Sequence, residues 1–484
     1  MAKILFIRPP IDNQPGQLVL RGVPLGPLAL GAWLRIHRGD DIRLLDYNLK
    51  PGRMIDFPKN LREFEPDVVG FSSYSISGPH VHRMSRQAKE YNPDCEVVVG
   101  GPYGRASPMH ILGDENVDHV VVGDAEFAFT RLLDQLDRGE SISGIPGVAC
   151  CDDEGRPAWN GEVWDIEDLD QLPILAYDLV DLNEYFNAPA QTYWISHKRR
   201  VPILTTRGCP YLCSYCFHMH GTNFRRQSTE RVMREIGHLV EDRGIREIQF
   251  FDDCFNYDRE RALEILTAIA DSGYDIRISF PRGLRGDTLD QEFIDAMRRA
   301  RTYQACIPIE TVTPRNQDYV NRRADVHRVR AAIEMADNAG IIVVSNFIVG
   351  FPGESRREIQ NTIDFAMSTK AHLATFLILN IFEGTDLYDK VKKDYPDVRL
   401  SPYVGNFQST LHNLSQVSDD ELVTICARST RRFHLNPWRI WRIWVLLPHK
   451  MAMLQLIGLF MRRVFRRILF GGEEGYKGGM DGVQ

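Results

Sequence analysis

The sequence predicts an α/β protein in three parts: an N-terminal doubly wound parallel sheet, a partial β/α barrel, and a mainly helical, basic C-terminal region. Three observations predict it. Short β-branched runs alternate with helical patterns over residues 1–140, and six further runs repeat the alternation over 197–400. Between Arg431 and Gly472 there are nine Arg or Lys and no Asp or Glu, which leaves −16 for the rest of a chain of net charge −7.

The runs of the first part are Ile4–Ile7, Ile42–Leu45, Val68–Phe71, Val97–Val99 and Val120–Val122, with helices expected over 26–37, 79–90 and 125–137. Strands spaced by helical patterns imply a parallel sheet, whose ligand sits beyond the carboxyl ends of the strands. Those ends carry Pro10, Asp46, Ser72-Ser73-Tyr74, Gly100-Gly101-Pro102 and Gly123-Asp124-Ala125-Glu126. Glycines there let backbone approach a large ligand closely, although ordinary tight turns have the same composition.

Residues 141–196 lose the periodicity and hold Pro146, Pro157, Pro173 and Pro189, so they read as a linker wrapping between domains. The second set of strands is expected at Pro202–Thr206, Ile245–Phe251, Ile276–Phe280, Ala305–Glu310, Ile341–Val349 and Leu373–Leu379, with helices between them. A barrel of this kind keeps its site at the carboxyl ends of its strands.

Composition narrows the function. The chain has 484 residues, 43% hydrophobic and 25% charged, long enough for about three domains with cores of their own. Mild acidity argues against a nucleic-acid binder. The start lacks a signal peptide's longer apolar core, and no run of 18 apolar residues appears, so a cytoplasmic protein without a membrane span is expected. The nine cysteines are odd in number and scattered, apart from one cluster of three. A reducing compartment and a metal site follow more readily than a disulfide framework.

That cluster is Cys209-Pro-Tyr-Leu-Cys213-Ser-Tyr-Cys216, directly after the first barrel strand. Three thiolates on one loop can converge on one metal centre. A structural zinc would need a fourth ligand, for which His218 and His220 stand nearby. On a four-iron cluster, three cysteines leave one iron open to substrate or cofactor.

With Tyr215 as its aromatic residue, C-x₃-C-x-aromatic-C resembles the signature of radical S-adenosylmethionine (SAM) enzymes. The resemblance continues in order along the barrel. Phe250–Phe255 looks like the acidic motif of the second strand, where Asp252 or Asp253 meets the SAM amino group. Gly283–Asp287 is similar to the segment after the third strand, with Arg285 toward the SAM carboxylate. Glu310 ends the fourth strand where the family often has Gly-x-Glu-Ser, with Pro308 and Thr311 departing from that pattern. Phe347–Glu354, including Gly350 and Pro352, matches the loop beside adenine.

The first 140 residues then resemble the cobalamin-binding domain that precedes the barrel in one large class of these enzymes. Val68–Ser72, Val99–Pro102 and Val122–Glu126 carry the match, along with Pro24–Leu30 and, after the cysteines, Phe224–Ser228. The strand-end residues are accordingly expected to meet cobalamin: Pro10, Asp46, Ser72, Ser73, Tyr74, Gly100, Gly101, Pro102, Gly123, Asp124 and Glu126. The Asp-x-His-x-x-Gly motif that supplies a lower His ligand is absent, and His80 and His82 lack its context.

The resemblance implies a 4Fe-4S cluster on Cys209, Cys213 and Cys216, bound SAM, and cobalamin. It implies a 5′-deoxyadenosyl radical and, most often in this class, methylation of an unactivated carbon of a small molecule through methylcobalamin. Cyclisation or rearrangement without methyl transfer is the alternative, and a non-catalytic cobalamin or metal carrier a remoter one. A low-potential electron donor such as a flavodoxin or ferredoxin is implied as well.

The basic tail over 401–484 leaves two readings. Arg462, Arg463, Arg466 and Arg467 fall on one side of a helix, with Met461, Val464, Phe465, Ile468 and Leu469 opposite. Trp438, Trp441 and Trp444 interleave with Arg439 and Arg442, a mix suited to a membrane interface. Docking on the acidic body of the same chain is the other reading.

Overall fold

The computed structural model describes residues 1–11, 21–188, 195–400 and 412–447. Its first domain runs β1 (Lys3–Arg8), α1 (Leu25–His37), β2 (Asp41–Asp46), α2 (Phe57–Phe64), β3 (Val68–Ser72), α3 (Gly78–Tyr91), β4 (Glu96–Gly100), α4 (Gly101–Ala106), α5 (Pro108–Ile111), β5 (His119–Val121) and α6 (Ala125–Arg138). Strands β1 to β5 pair in parallel in the order β2-β1-β3-β4-β5. Period-2 alternation sends Ile4 and Phe6 to the face covered by α1 and α6, and Leu5 and Ile7 to the face covered by α2 and α3. The doubly wound expectation holds.

The segment expected to be a linker does more than connect. It adds β6 (Val148–Cys151) and β7 (Pro157–Ala158), antiparallel, to the β5 edge of the sheet. After them Leu169 and Leu172 bury in the first domain's core, while Tyr177, Tyr185 and Phe186, the last two on α7 (Leu182–Asn187), bury in the barrel's. A fragment ending at residue 140 would bare the β5 edge, an invitation to pairing between copies. We expect it to self-associate, and a fragment ending at residue 160 to stay monomeric. Light scattering checks this: equal behaviour of the two would mean that β6 and β7 do not protect the edge.

The second domain continues with β8 (Arg200–Ile203), β9 (Thr206–Arg207), β10 (Arg225–Arg226), α8 (Thr229–Glu241), β11 (Glu247–Phe250), α9 (Arg259–Asp271), β12 (Arg277–Phe280), α10 (Gln291–Arg299), β13 (Thr302–Cys306), α11 (Pro314–Tyr319), α12 (Val326–Asn338), β14 (Ile342–Val349), α13 (Arg356–Ser368) and β15 (Leu373–Ile378). A six-stranded parallel sheet in the order β8-β11-β12-β13-β14-β15 makes the partial barrel. Helix starts are capped where the sequence offers Ser or Asp, as at Ser228, Asp258, Asp290, Asp325 and Ser355. Helices α8, α9, α10, α12 and α13 cover the outer face, burying Val232, Ile265, Phe293, Ile333 and Ile363 among others.

Three helices follow: α14 (Asp386–Asp394), α15 (Asp419–His434) and α16 (Pro437–Leu446). Helix α16 sets Ile443 and Leu447 against Ile342, Val344 and Leu373. Its arginines do not share the tryptophans' surface, as the sequence reading had them. Arg439 is buried and donates to the carbonyls of Met367 (2.9 Å) and Thr369 (3.1 Å), and Arg442 to the Asp337 carboxylate at 2.6 Å. Free carbonyls at the end of α13 and an acidic partner on α12 draw them inward, and Ile440, Trp441 and Val445 are left outward, Trp441 at 57% exposure. Residues 461–469 lie outside the described residues. Among the described residues no helix is long and apolar enough to cross a membrane.

Candidate functional site

The cysteine loop grows out of the carboxyl end of β8. Strand β9 pairs antiparallel with β10, Arg207 opposite Arg225, and so clips the loop 208–224 at its stem. Gly208 is required there: it sits at φ +84°, and a Cβ would meet the Asn223 carbonyl at 2.1 Å. Inside the clip, Cys209 N donates to Gly221 O (3.2 Å), Cys216 N to Cys213 O (2.9 Å) and His218 Nε2 lies 2.9 Å from Tyr211 O. The loop is tied outward as well, through Ser214 N to Val320 O at 2.9 Å and Asn321 Nδ2 to Leu212 O at 2.8 Å.

The donor set suits a polynuclear cluster. Cys209, Cys213 and Cys216 stand on one loop within electrostatic reach of one another, as thiolates that each take a different iron of one cluster must. Cys209 is lowered to about 7, first through a hydrogen bond from Cys254 and then one from the Tyr211 backbone. Burial pushes Cys216 up to about 12 and raises Cys213, which Arg322 partly offsets. Cluster binding by this chain therefore releases protons. Cys254, adjoining Cys209, is a neighbour that spacing alone did not reveal.

The two carboxylates of the β11 motif divide. Asp252 is fully enclosed and accepts from Thr205 N (2.6 Å), Thr206 N (2.5 Å), Thr205 Oγ1 (3.2 Å) and Thr206 Oγ1 (2.9 Å). Three of the four bonds converge on Oδ1, and Asp252 does not line the cavity between the domains. Asp253 accepts from Gly208 N at 3.2 Å and faces the cavity between the domains. Arg285 is likewise committed, to Asp287 at 2.6 and 3.0 Å, to the carbonyls of Arg322 and Arg323, and to the face of Tyr211 at 4.2 Å. Its guanidinium is thus held by the chain's own groups.

Glu310 ends β13's extension at φ +70°, a left-handed conformation costly for a side-chain-bearing residue. Its backbone is held by Asn346 O (2.9 Å) and Ile348 N (2.7 Å). Burial raises its carboxyl, with Arg322 pulling the other way. Arg322 reaches Tyr215 Oη at 3.5 Å and the Pro308 carbonyl at 2.8 Å, bringing Tyr215, Glu310 and the cysteine loop into one neighbourhood. Gly350, at φ +88°, and Phe351 donate their N–H groups to Glu354 at 2.6 and 3.1 Å, and Pro352 O accepts from Arg315 at 3.0 Å. Glu354 is thus what shapes the expected adenine-side loop.

Between the domains, the carboxyl ends of β1, β3, β4 and β5 face the barrel across a cavity. Ser72, Tyr74, Gly100, Gly101, Pro102, Gly123, Asp124 and Glu126 line it. Gly101, at φ +76°, lets the chain pass close to Ser73, where an added Cβ would come within 3.0 Å of Ser73 N. Pro10, Asp46 and Ser73 do not line the cavity. Asp46 is taken up by Arg8 (3.2 Å), Tyr185 Oη (2.7 Å) and Leu49 N (3.0 Å), while Ser73 is buried with its backbone bonded to Gly100 and Tyr103. His82 lies between Asp114 (2.7 Å) and Tyr103 Oη (3.0 Å), away from the cavity. From the barrel side come Asp253, Arg282 and His220, and from the first domain Arg105, none of the last three assigned to this role by the sequence motifs.

Asp124 and Glu126 line the cavity with their carboxylates already engaged. Arg207 grips Glu126 through two bonds (2.6 and 3.1 Å) and stands 3.0 Å from Asp124, which also pairs with Arg225 and accepts from Ile166 N at 3.1 Å. Burial alone would raise Asp124, but Arg207, His220 and Arg225 outweigh it and hold the carboxyl far below the usual range.

Comparison with known proteins agrees with this geometry. Residues 17–133 match the B12 binding domain and residues 203–366 the radical SAM superfamily. An uncharacterized methyltransferase of Pyrococcus horikoshii is 29% identical over 80% of this chain and 82% of its own. Cytidylyl-2-hydroxyethylphosphonate methyltransferase of Streptomyces wedmorensis is 27% identical, covering 82% of this chain and 79% of its own. The fold is shared with TsrM, a radical S-adenosylmethionine methyltransferase of Kitasatospora setae solved with tryptophan and a SAM analogue. The TM-score is 0.67 at 18% identity, over 92% of this chain and 89% of that one.

Proposed function

We propose that this chain, which belongs to the cobalamin-dependent radical SAM enzymes, transfers a methyl group to an unactivated carbon of a small-molecule substrate. The observation that supports the proposal is the cavity between the domains, lined by the glycine-rich strand ends of the first domain and, from the barrel, by Asp253 with Met219 and His220 of the cysteine loop, the three cysteines lying outside that lining. When bound, the 4Fe-4S cluster with SAM supplies a hydrogen-abstracting radical and cobalamin a transferable methyl group.

Cys209, Cys213 and Cys216 would hold the cluster and leave one iron for SAM. Asp253 is the carboxylate poised for the SAM amino group, and Gly350 and Pro352 offer backbone beside adenine. Tyr215 and Glu310 would close that pocket from the side of Arg322. Gly100, Gly101 and Gly123 allow the chain to approach a corrin face without side-chain obstruction, with Ser72, Tyr74 and Pro102 at its rim. Enclosure between two domains keeps water from the reacting carbon.

The test is anaerobic incubation with SAM carrying a labelled methyl group, cobalamin, a low-potential reductant standing in for a flavodoxin or ferredoxin, and candidate small molecules. Mass spectrometry is expected to find 5′-deoxyadenosine, S-adenosylhomocysteine and a product heavier by one labelled methyl group. A product of unchanged methyl content, with 5′-deoxyadenosine alone, would favour cyclisation or rearrangement. A fully loaded protein that forms neither nucleoside would end the proposal.

We also propose that the protein works in the cytoplasm and touches the membrane surface through its C-terminal region. Support comes from Ile440, Trp441 and Val445, turned outward on α16, and from the acid-free Arg-rich sequence that follows. Binding to anionic vesicles is expected, and its loss on deleting 431–484. Equal pelleting of both forms, or of neither, would assign the region to packing alone.

A further inference from the structure

We propose that Asp124 and Glu126 in the first domain, with Arg207 and Arg225 in the barrel, form a positioning device that sets the cluster loop relative to the cobalamin site. The inference rests on the function proposed above and concerns how the two halves of that site are held in register. All four side chains are nearly sealed from water: 9% exposure at most for the arginines, 4% at most for the carboxylates.

Burying four charges is a poor way to gain stability, because desolvation offsets most of the attraction and an apolar seam of similar volume would hold as well. What such a cluster adds is direction. A guanidinium fork on a carboxylate fixes angle as well as distance, and Arg207 meets Glu126 through both nitrogens, at 2.6 and 3.1 Å. Apolar contacts between domains tolerate sliding; this one does not.

Placement in the chain makes the device specific to the chemistry. Arg207 precedes Gly208 and Cys209, and Arg225 faces it across the stem of the same loop, so both ends of 208–224 are gripped. On the other side Asp124 and Glu126 follow directly on Gly123, one of the cavity's glycines. The path from cavity floor to first cluster ligand is therefore backbone, ion pair, backbone, with no flexible segment in it. Arg225 also donates to Ile166 O (3.1 Å) and His220 O (2.8 Å), binding the connecting segment and the loop's return strand to the same point. A radical formed at the cluster end has to meet a substrate placed against the methyl donor. Loss of register of about 1 Å costs such a reaction on the order of a hundredfold.

Glu126→Gln, which removes the charge at constant shape, and Arg207→Lys, which keeps the charge and removes the fork, test it together. In holoenzyme with wild-type iron and cobalamin content, both are expected to keep forming 5′-deoxyadenosine while methylated product per 5′-deoxyadenosine falls roughly tenfold or more. The electron paramagnetic resonance spectrum of the doubly reduced sample should show a weaker, more heterogeneous interaction between cob(II)alamin and the reduced cluster. Hydrogen exchange, which needs no turnover, should speed up in 208–224 and leave β11 to β15 unchanged. A wild-type product ratio and spectrum in both variants would overturn the inference. So would a parallel fall of both products with an unaltered spectrum, the mark of a merely structural role. Wild-type protein that takes up neither cluster nor cobalamin would overturn the functional reading itself, and this inference with it.

Discussion

Replacing Cys209, Cys213 or Cys216 by Ala is expected to strip the iron from the protein and bring 5′-deoxyadenosine formation down to background. On the proposed assignment each thiolate would hold one iron of the cluster, and losing one would leave two attachments. The loop itself should survive, since its ties run through backbone groups and Asn321 rather than through the sulfurs. Circular dichroism should therefore be unchanged while iron and sulfide content collapse. Gly208→Ala makes an independent prediction. It retains every cysteine yet drives a methyl group to 2.1 Å from the Asn223 carbonyl, so the stem opens and iron is lost as well. Cys254→Ala is the control, because Cys254 donates to Cys209 and should leave iron content near wild type. Full iron with undiminished SAM cleavage in the triple cysteine variant would remove the basis of the functional assignment.

Asp252→Ala and Asp253→Ala should have opposite consequences despite adjacent positions. Asp252 satisfies two buried backbone N–H groups and two hydroxyls. Removing it orphans them and takes a carboxylate away from the neighbourhood of Arg261, a loss of about 3–5 kcal/mol. The melting temperature should fall by roughly 3–5 °C in a chain of this size. Asp253 makes one protein hydrogen bond and faces the cavity, so Asp253→Ala should melt near wild type but bind SAM more weakly. Calorimetry and SAM titration on the two variants decide the matter. Weakened SAM binding in Asp252→Ala at unchanged melting temperature would restore the role that the motif alone would give it.

The pair shows where sequence is informative and where it stops. Cys209, Cys213 and Cys216 announce themselves because ligand spacing on one loop is a local property. The six barrel strands and the five parallel strands of the first domain are legible because hydrophobic period is local too, though the fourth barrel strand runs Thr302–Cys306, ahead of the expected Ala305–Glu310. Which of two neighbouring aspartates turns inward depends on where Thr205 and Thr206, at the step from β8 to β9, present their N–H groups. Asp124 and Glu126 occupy a ligand-binding turn in sequence, yet their partners lie 81 and 101 residues away on the other domain. Asp46 and Arg285 likewise have partners that sequence does not show, Tyr185 and Arg8 for the one and Asp287 for the other. Strands β6 and β7 are too short to show an alternation. Arg439 and Arg442 read as surface charge until the carbonyls at the end of α13 and Asp337 are seen to receive them.

The clipped stem of the cysteine loop has a consequence for how the iron site is made. In a small zinc-binding domain the metal itself orders the chain, so binding and folding are one event and chelation unfolds the protein. Here the ends of 208–224 are joined by β9 and β10 and by two arginines, ties that involve none of the three sulfurs. The entropy of closing the loop is lost when the barrel folds, not when the cluster assembles. Removal of iron by a chelator should leave a folded apoprotein, and reconstitution should start from a loop whose closure is already complete.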